Sequence, residues 1–397
     1  MRPNAVVWTA LADGSPAFAW IVRKRMDELR VAAPEGGKIR VETWSMAVPV
    51  VPERVAVHAP VSPATVQRVV PIGGRFAVAA DLSSNAVLLL DLADGTILDA
   101  RGPEGWMWVD RYGYDGLPAG VASGGTVALG DRHAIQVWEV EEGRLRPREF
   151  IGSPPYARRR PVAVLGDGTV VATQSYPGTA ITTHPPGAPG GEAALSFPPD
   201  QVTVDPVRER VVAASGSVWA GPTAPSAAVD LTDRAAPRLL WTREDGAAFA
   251  TFVRGGEAVA LTKRIGWRYA PVLHDPATGA PLGEPLHAAD PFYYFAPTVA
   301  FGEGDGARLL YWQWTFCCWR STLFDVSKDD TALVAVSDEY SWDPYGIARD
   351  DGRSAYEFRS DTTRLVGPGG NFAPFDDTRA SGLARLRHGF LVGTEFD

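Results

Sequence analysis

From Val66 onward, short apolar runs alternate with breaks rich in glycine, aspartate and proline, and the same order of elements keeps returning. Val66 to Pro71 is followed by Gly73-Gly74, then by apolar runs over 75–81 and 85–91, and Asp94-Gly95 leads into 96–100. Runs of five to seven residues bounded by such dipeptides predict four strands joined by tight turns. Similar units start near Ala119, Pro161, Gln201, Ala248 and Pro297. Each contains an apolar strand that ends in a polar turn, as in Leu88-Leu-Leu-Asp91-Leu-Ala-Asp-Gly95 and Val272-Leu-His-Asp275-Pro-Ala-Thr-Gly279. Counted at Asp91, Glu139, His184, Asp230, Asp275 and Asp325, that feature recurs at spacings of 48, 45, 46, 45 and 50. A period in the forties built from four short strands predicts an all-β fold, a single β-propeller of four-stranded blades.

Six clear blades occupy residues 66 to about 343, and about 119 residues remain at the two ends. That remainder suffices for two further blades, so the arithmetic favours eight over seven, with the termini forming the closing blades. Ala5–Thr9, Ala17–Val22, Ile39–Trp44, Ala355–Arg359 and Phe390–Thr394 are the predicted end strands. The expectation is one domain spanning 1–397.

One stretch also resembles a known family. His274-Asp-Pro-Ala-Thr-Gly-Ala-Pro-Leu-Gly-Glu-Pro-Leu286, followed by Val299-Ala-Phe-Gly-Glu-Gly-Asp-Gly306, is similar to a repeat of bacterial WD40 proteins. Trp138-Glu139 and His274-Asp275 stand where that repeat carries Trp-Asp, and His287 lies near its Gly-His position. The resemblance implies a toroid with a central channel. It implies no single function, because such folds host binding modules and enzymes alike.

Charge and cysteine content narrow the partners. A formal net charge of −9 argues against nucleic acid as a partner. Arg158, Arg159 and Arg160 form a dense basic run and read as a solvated turn before a strand. No run of 18 apolar residues occurs, which predicts a cytoplasmic protein without a membrane partner. The two cysteines, Cys317 and Cys318, are adjacent, so no disulfide framework is expected. They read as two reduced thiols, a strained vicinal disulfide or a soft-metal thiolate pair.

In a propeller blade the first-to-second and third-to-fourth turns share one face, and the second-to-third turns share the other with the links between blades. Turns assigned to the first face, such as Gly124-Gly125, Asp167-Gly168 and Arg254-Gly255-Gly256, are short and free of aromatics. The opposite connections, taken as 102–118, 130–133, 174–178, 215–224, 264–270, 288–296, 312–319 and 338–346, hold sixteen of the chain's 13 Trp and 11 Tyr in 69 residues. This asymmetry predicts an aromatic-lined mouth that captures a partner protein or a small ligand by stacking and apolar contact. Its candidate binding residues are Trp106, Trp108, Tyr112, Tyr114, Trp219, Trp267, Tyr269, Tyr293, Tyr294, Trp314, Trp319, Tyr340 and Trp342. The competing expectation is that these side chains pack between blades.

An enzyme acting on a small molecule or glycan in the same channel mouth is the alternative. It would use Asp110, Asp115, Asp343 or His133 as acid or base. The chain has no nucleophile elbow, zinc-binding His-Glu-x-x-His, Cys-x-x-Cys, phosphate loop or dinucleotide fingerprint. Neither a cofactor nor a metal is therefore expected.

Overall fold

The computed structural model describes residues 9–10, 16–22, 28–35, 38–45, 66–72, 76–81, 86–91, 97–101, 119–130, 134–152, 158–175, 178–215, 224–265, 268–286, 294–301, 307–314, 319–328, 331–336, 344–349, 355–359, 363–366, 369, 372–375, 380–386 and 389–394. Strands dominate, and the helical content among these residues is one 3₁₀ turn at Arg254–Gly256.

In chain order the strands begin with β1 (Thr9–Ala10), β2 (Pro16–Val22), β3 (Glu28–Glu35) and β4 (Lys38–Ser45). Two sheets follow: β5 (Val66–Ile72), β6 (Phe76–Asp81), β7 (Ala86–Asp91) and β8 (Ile97–Arg101), then β9 (Ala119–Ser123), β10 (Thr126–Gly130), β11 (Ala134–Glu141) and β12 (Arg144–Gly152). The next comprise β13 (Arg158–Val164), β14 (Val170–Ser175), β15 (Thr179–His184) and β16 (Glu192–Leu195), and β17 (Gln201–Asp205), β18 (Arg210–Ala214), β19 (Pro225–Asp230) and β20 (Arg238–Glu244). A three-stranded sheet of β21 (Ala247–Val253), β22 (Ala258–Ile265) and β23 (Arg268–His274) comes next. It precedes β24 (Tyr294–Phe301), β25 (Arg308–Trp314), β26 (Trp319–Asp325) and β27 (Ala332–Val336), and β28 (Pro344–Arg349), β29 (Ala355–Arg359), β30 (Thr363–Val366) and β31 (Phe372–Phe375). The last strands, β32 (Ala380–Leu386) and β33 (Gly389–Thr394), join the first four in the order β1-β32-β33-β2-β3-β4.

Contacts divide the chain into two compact units. The first holds Met1–Gly168, Asp361–Thr363 and Phe375–Asp397; the second holds Thr169–Ser360 and Arg364–Pro374. Within the first unit, the sheet that mixes both chain ends pairs Phe18 with Phe390 and Thr9 with Leu386. Of the predicted end strands, Ala355–Arg359 is β29 of the sheet β28–β31, whereas Ala17–Val22, Ile39–Trp44 and Phe390–Thr394 fall in the sheet shared by both chain ends. Also in this unit, β9 lies against β5 and β13. Within the second unit, β21 lies against β17 and β24, and β24 against β28. Neighbouring sheets therefore meet through a first strand that packs on the first and second strands of the next sheet, as β13 does on β9 and β10 and β21 on β17 and β18.

Burial explains the strand sequences. The second strands β10, Thr126-Val-Ala-Leu-Gly130, and β18, Arg210-Val-Val-Ala-Ala214, are buried on both faces, and their small side chains let sheets approach from both sides. Outer strands alternate instead: β16 reads exposed, buried, exposed, buried along Glu192–Leu195. At the β9–β10 turn, Gly124 and Gly125 take φ of +57° and +92°, a conformation that costs other residues strain.

The repeated acid marks the end of the third strand. Asp91, Asp230 and Asp325 close β7, β19 and β26, and Asp275 follows β23 directly. Asp275 Oδ1 accepts the amides of Ala277 at 2.6 Å and Thr278 at 3.1 Å. Asp230 Oδ1 accepts the amide of Thr232 at 3.0 Å, and Asp325 Oδ1 that of Ser327 at 2.9 Å. The period read from sequence is thus a recurring side-chain-closed turn. At Asp230 and Asp325 burial raises the pKa, but the hydrogen bonds and neighbouring cations outweigh it and hold both below the usual carboxylate value.

One expected fourth strand is absent from the described residues. Beyond β23, Pro281 makes an isolated bridge with His274, and Leu282 and Leu286 donate their amides to Leu273 and Pro271, each at 2.8 Å. Four residues on this segment span two on β23. Pro281 and Pro285 have no amide to donate and Gly283 adds no side chain to pack, so the ladder breaks there.

Adjacent sheets are also joined by side chains. In the first unit the buried Asp99 of β8 accepts the amide of Leu145 on β12 at 2.9 Å, together with that of Ala100 at 3.0 Å. Asp99→Ala would strand the buried Leu145 amide and is expected to cost about 2 kcal/mol. The fall in urea midpoint measures it, and a loss within error would show that the bond contributes nothing.

Candidate functional site

The antiparallel meander sends first-to-second and third-to-fourth turns to one end of each sheet's strands, and second-to-third turns with the links to the next sheet to the other. The predicted turns at Gly124-Gly125, Asp167-Gly168 and Arg254–Gly256 fall at the first end. The segments 102–118, 131–133, 216–223, 266–267, 287–293, 315–318 and 337–343 join strands at the second end and lie outside the described residues. With them lie Trp106, Trp108, Tyr112, Tyr114, Trp219, Trp267, Tyr293, Tyr340 and Trp342, the acid–base candidates Asp110, Asp115, His133 and Asp343, and both cysteines.

Several aromatics assigned to connections belong to strands instead. Tyr269, Tyr294, Trp312, Trp314, Trp319 and Tyr345 fall in β23, β24, β25, β25, β26 and β28, close to the strand ends that border those connections. The ladders place Tyr294 opposite Trp314 and Trp314 opposite Trp319, so these three share one register row at the edge of the β25–β26 connection. Tyr269 is 6% exposed and packs with Ala224, Ala248 and Phe249. Burial raises the pKa of its phenol, with Arg264 opposing. Tyr311, itself fully buried, donates its hydroxyl to the Tyr269 carbonyl at 3.3 Å.

Two tryptophans with described side chains are core residues. Trp138 lies within β11, where its Nε1–H donates to Gln136 Oε1 at 3.1 Å; β11 continues to Glu141, so Glu139 does not end the strand. Trp241 donates to the Pro276 carbonyl at 3.0 Å, and the Cα of Gly279 sits so close to its ring that a Cβ there would come within 2.8 Å.

A polar cluster that sequence reasoning missed lies in the second unit. Arg243 Nε donates to Asp245 Oδ2 at 2.7 Å, and Lys263 Nζ donates to the same oxygen. Arg243 Nη1 donates to the Gly279 carbonyl at 2.9 Å, and His274 Nδ1–H donates to that carbonyl at 2.8 Å. The bond to a carbonyl fixes the proton on Nδ1, and His274 Nε2 is buried without a partner. Burial, with Lys263 and Arg243 adding to it, pushes the His274 pKa down to about 4. One signal was visible: Lys263 is among only four lysines and ends an otherwise uncharged run, Ala258-Val-Ala-Leu-Thr-Lys263. Arg243 comes from a different sheet and Asp245 from the link that follows it, and nothing in sequence order announces them.

An open cleft of about 520 Å³ is lined by Arg254, Leu273, Leu282, Leu286, Phe324 and Leu333 among others. Arg254 crosses to the next sheet, donating from Nε to the Val326 carbonyl at 2.5 Å and from Nη2 to that of Lys328. Among the described residues no group of three or more His, Cys, Asp or Glu could hold a metal ion, and no helix is long and apolar enough to cross a membrane.

No protein-family model and no curated protein matches this chain. Solved structures do match it in fold. The Dos1 propeller is 10% identical, with 94% of each chain covered and a TM-score of 0.55. A eukaryotic initiation factor is 7% identical, over 99% of this chain and 90% of that one, with a TM-score of 0.53. The C-terminal WD40 domain of Sif2 is 10% identical over 100% and 94%, with a TM-score of 0.47. The likeness to the first two agrees with the four-stranded meanders: the fold is a β-propeller.

His274 sets a pH dependence. Between pH 6.5 and about 4 the unfolded chain binds a proton at this ring and the folded chain does not, so stability falls as pH drops through that window and is unaffected above it. His274→Gln is expected to flatten that part of the curve, measured as denaturant midpoint against pH. An unchanged slope would contradict the buried neutral ring.

Proposed function

We propose that this chain is a binding propeller, a single domain over 1–397, which captures a partner protein or a small aromatic-compatible ligand through its second-to-third-strand connections and inter-sheet links. The observation that carries this reading is the distribution of Trp and Tyr. Sixteen of them lie in or beside connections of one kind, and the six of these that fall in strands stay near the adjoining ends, whereas Trp138, Trp241 and Tyr311 lie within strands. Aromatic side chains give large contact area at small entropic cost, which makes them frequent anchors in protein recognition. Protein-binding modules are among the functions that propellers host, which agrees with this reading. The net charge of −9 opposes nucleic acid as the partner, and the reading places the protein in the cytoplasm, away from the membrane.

Trp108→Ala, Tyr114→Ala and Trp342→Ala, made singly, are each expected to weaken capture about tenfold or more while shifting the melting temperature by no more than about 2 °C. Quantitative pull-down against wild type, paired with thermal melts, reads both. A large drop in melting temperature would show these to be packing residues. Cys317→Ser with Cys318→Ser is expected to leave capture intact, and a thiol titration of the wild type to find two free thiols. Finding none would instead favour the vicinal disulfide.

A further inference from the structure

Two of the six large apolar side chains exposed among the described residues line one cleft. Leu282 is 41% exposed and Leu333 45%, and both border the open cavity of about 520 Å³, whose apolar wall Leu273, Leu286 and Phe324 complete. A single exposed leucine needs no explanation, whereas two that share a cavity with three further apolar residues form a patch suited to a partner.

The fold leaves this cleft open on two sides. Sheet β21–β23 has no fourth strand, and 281–286 is held to β23 in its place through the amides of Leu282 and Leu286. In the next sheet β27, Ala332-Leu-Val-Ala-Val336, is exposed or half-buried along its length, and no described strand pairs with its outer edge. The outer strands β4, β8, β12, β16 and β20 each carry charged residues and β31 carries a proline, which guard a sheet edge; β27 has neither. A bulge at Val334 interrupts that edge, so it suits a short segment better than a long added strand. The charge at the cleft is equally one-sided. Arg254 directs Nε and Nη2 to the Val326 and Lys328 carbonyls, whereas the exposed Glu284 forms no hydrogen bond or ion pair among the described residues. Asp329 and Asp330 directly precede Thr331, which also lines the cleft.

We propose that this cleft docks a short extended segment of a partner protein that carries a large apolar side chain and, two residues on, a lysine or arginine. Alternate residues of an extended chain share one side, so the apolar group enters between Leu282 and Leu333 while the cation meets Glu284. Charge opposes a second copy of this chain as the occupant: pairing two β27 strands about Val334 sets Asp330 against Asp338. The aromatic connections contribute none of the cleft's described lining, so this site can fail while the capture reading stands, and the reverse.

Calorimetry of the full chain with the capped peptide acetyl-Thr-Leu-Thr-Lys-Thr-amide tests the site, beside two peptides in which glutamate replaces the lysine or serine replaces the leucine. Saturable binding of the first is expected, about tenfold tighter than that of either other. Leu333→Ser should weaken it about tenfold, and Glu284→Gln should remove the preference for lysine over glutamate, with both exposed positions leaving the fold intact. Should Leu333→Ser unfold, Leu282→Ser, which lies outside the strands, takes its place with the same expected loss. Absence of saturable binding, or equal binding of the lysine and glutamate peptides, would overturn the proposal. So would a dimer of the free chain in sedimentation velocity that Leu333→Ser dissociates, since that assigns the cleft to a second copy.

Discussion

Close approach of sheets through narrow, apolar second strands is the constraint on which the rest of the structure depends. In β10, β14, β18 and β22 nearly every residue is buried, and the chain supplies valine and alanine there rather than bulky groups. A strand buried on both faces forces its neighbours to cover it, so each meander is complete only when packed against the next. The outer strands carry the polar load. Side chains such as Asp99, Trp241 and Arg254 then join one sheet to another by hydrogen bonds to backbone amides and carbonyls.

This arrangement separates two kinds of connection. Turns at one strand end are short and closed by their own side chains, as at Asp230, Asp275 and Asp325. Their geometry is local, which leaves little room for variation. Connections at the other end run to seventeen residues, as in 102–118, whose sequence contains Trp106, Trp108, Tyr112 and Tyr114. A scaffold with short closed turns at one strand end and longer connections at the other is suited to recognition.

Much of this was legible from residues alone. The period survives because the third strand ends on an aspartate that closes its turn. Strand bounds in the first repeat, predicted at 66–71, 75–81, 85–91 and 96–100, fall within a residue of β5 to β8. The connection limits were drawn too wide, because Trp and Tyr also favour strands: Trp314 and Trp319 extend the β25–β26 ladder instead of standing in a loop. The missing fourth strand beyond β23 was written in Pro281, Gly283 and Pro285, whose lost donors outweighed the periodicity. The cluster at Lys263 was illegible, since Arg243 reaches it from a neighbouring sheet's end and Asp245 from the link beyond it, and such pairing leaves no fixed spacing.

The central claim is that the aromatics of the connections face solvent and a partner, while those of the strands hold the sheets together. Residue-resolved hydroxyl-radical footprinting of the free protein tests it most directly. Trp106, Trp108 and Trp342 should react rapidly, and Trp138, Trp241 and Tyr311 should stay protected. Equal protection of both groups would contradict the account and make the aromatic connections part of the core.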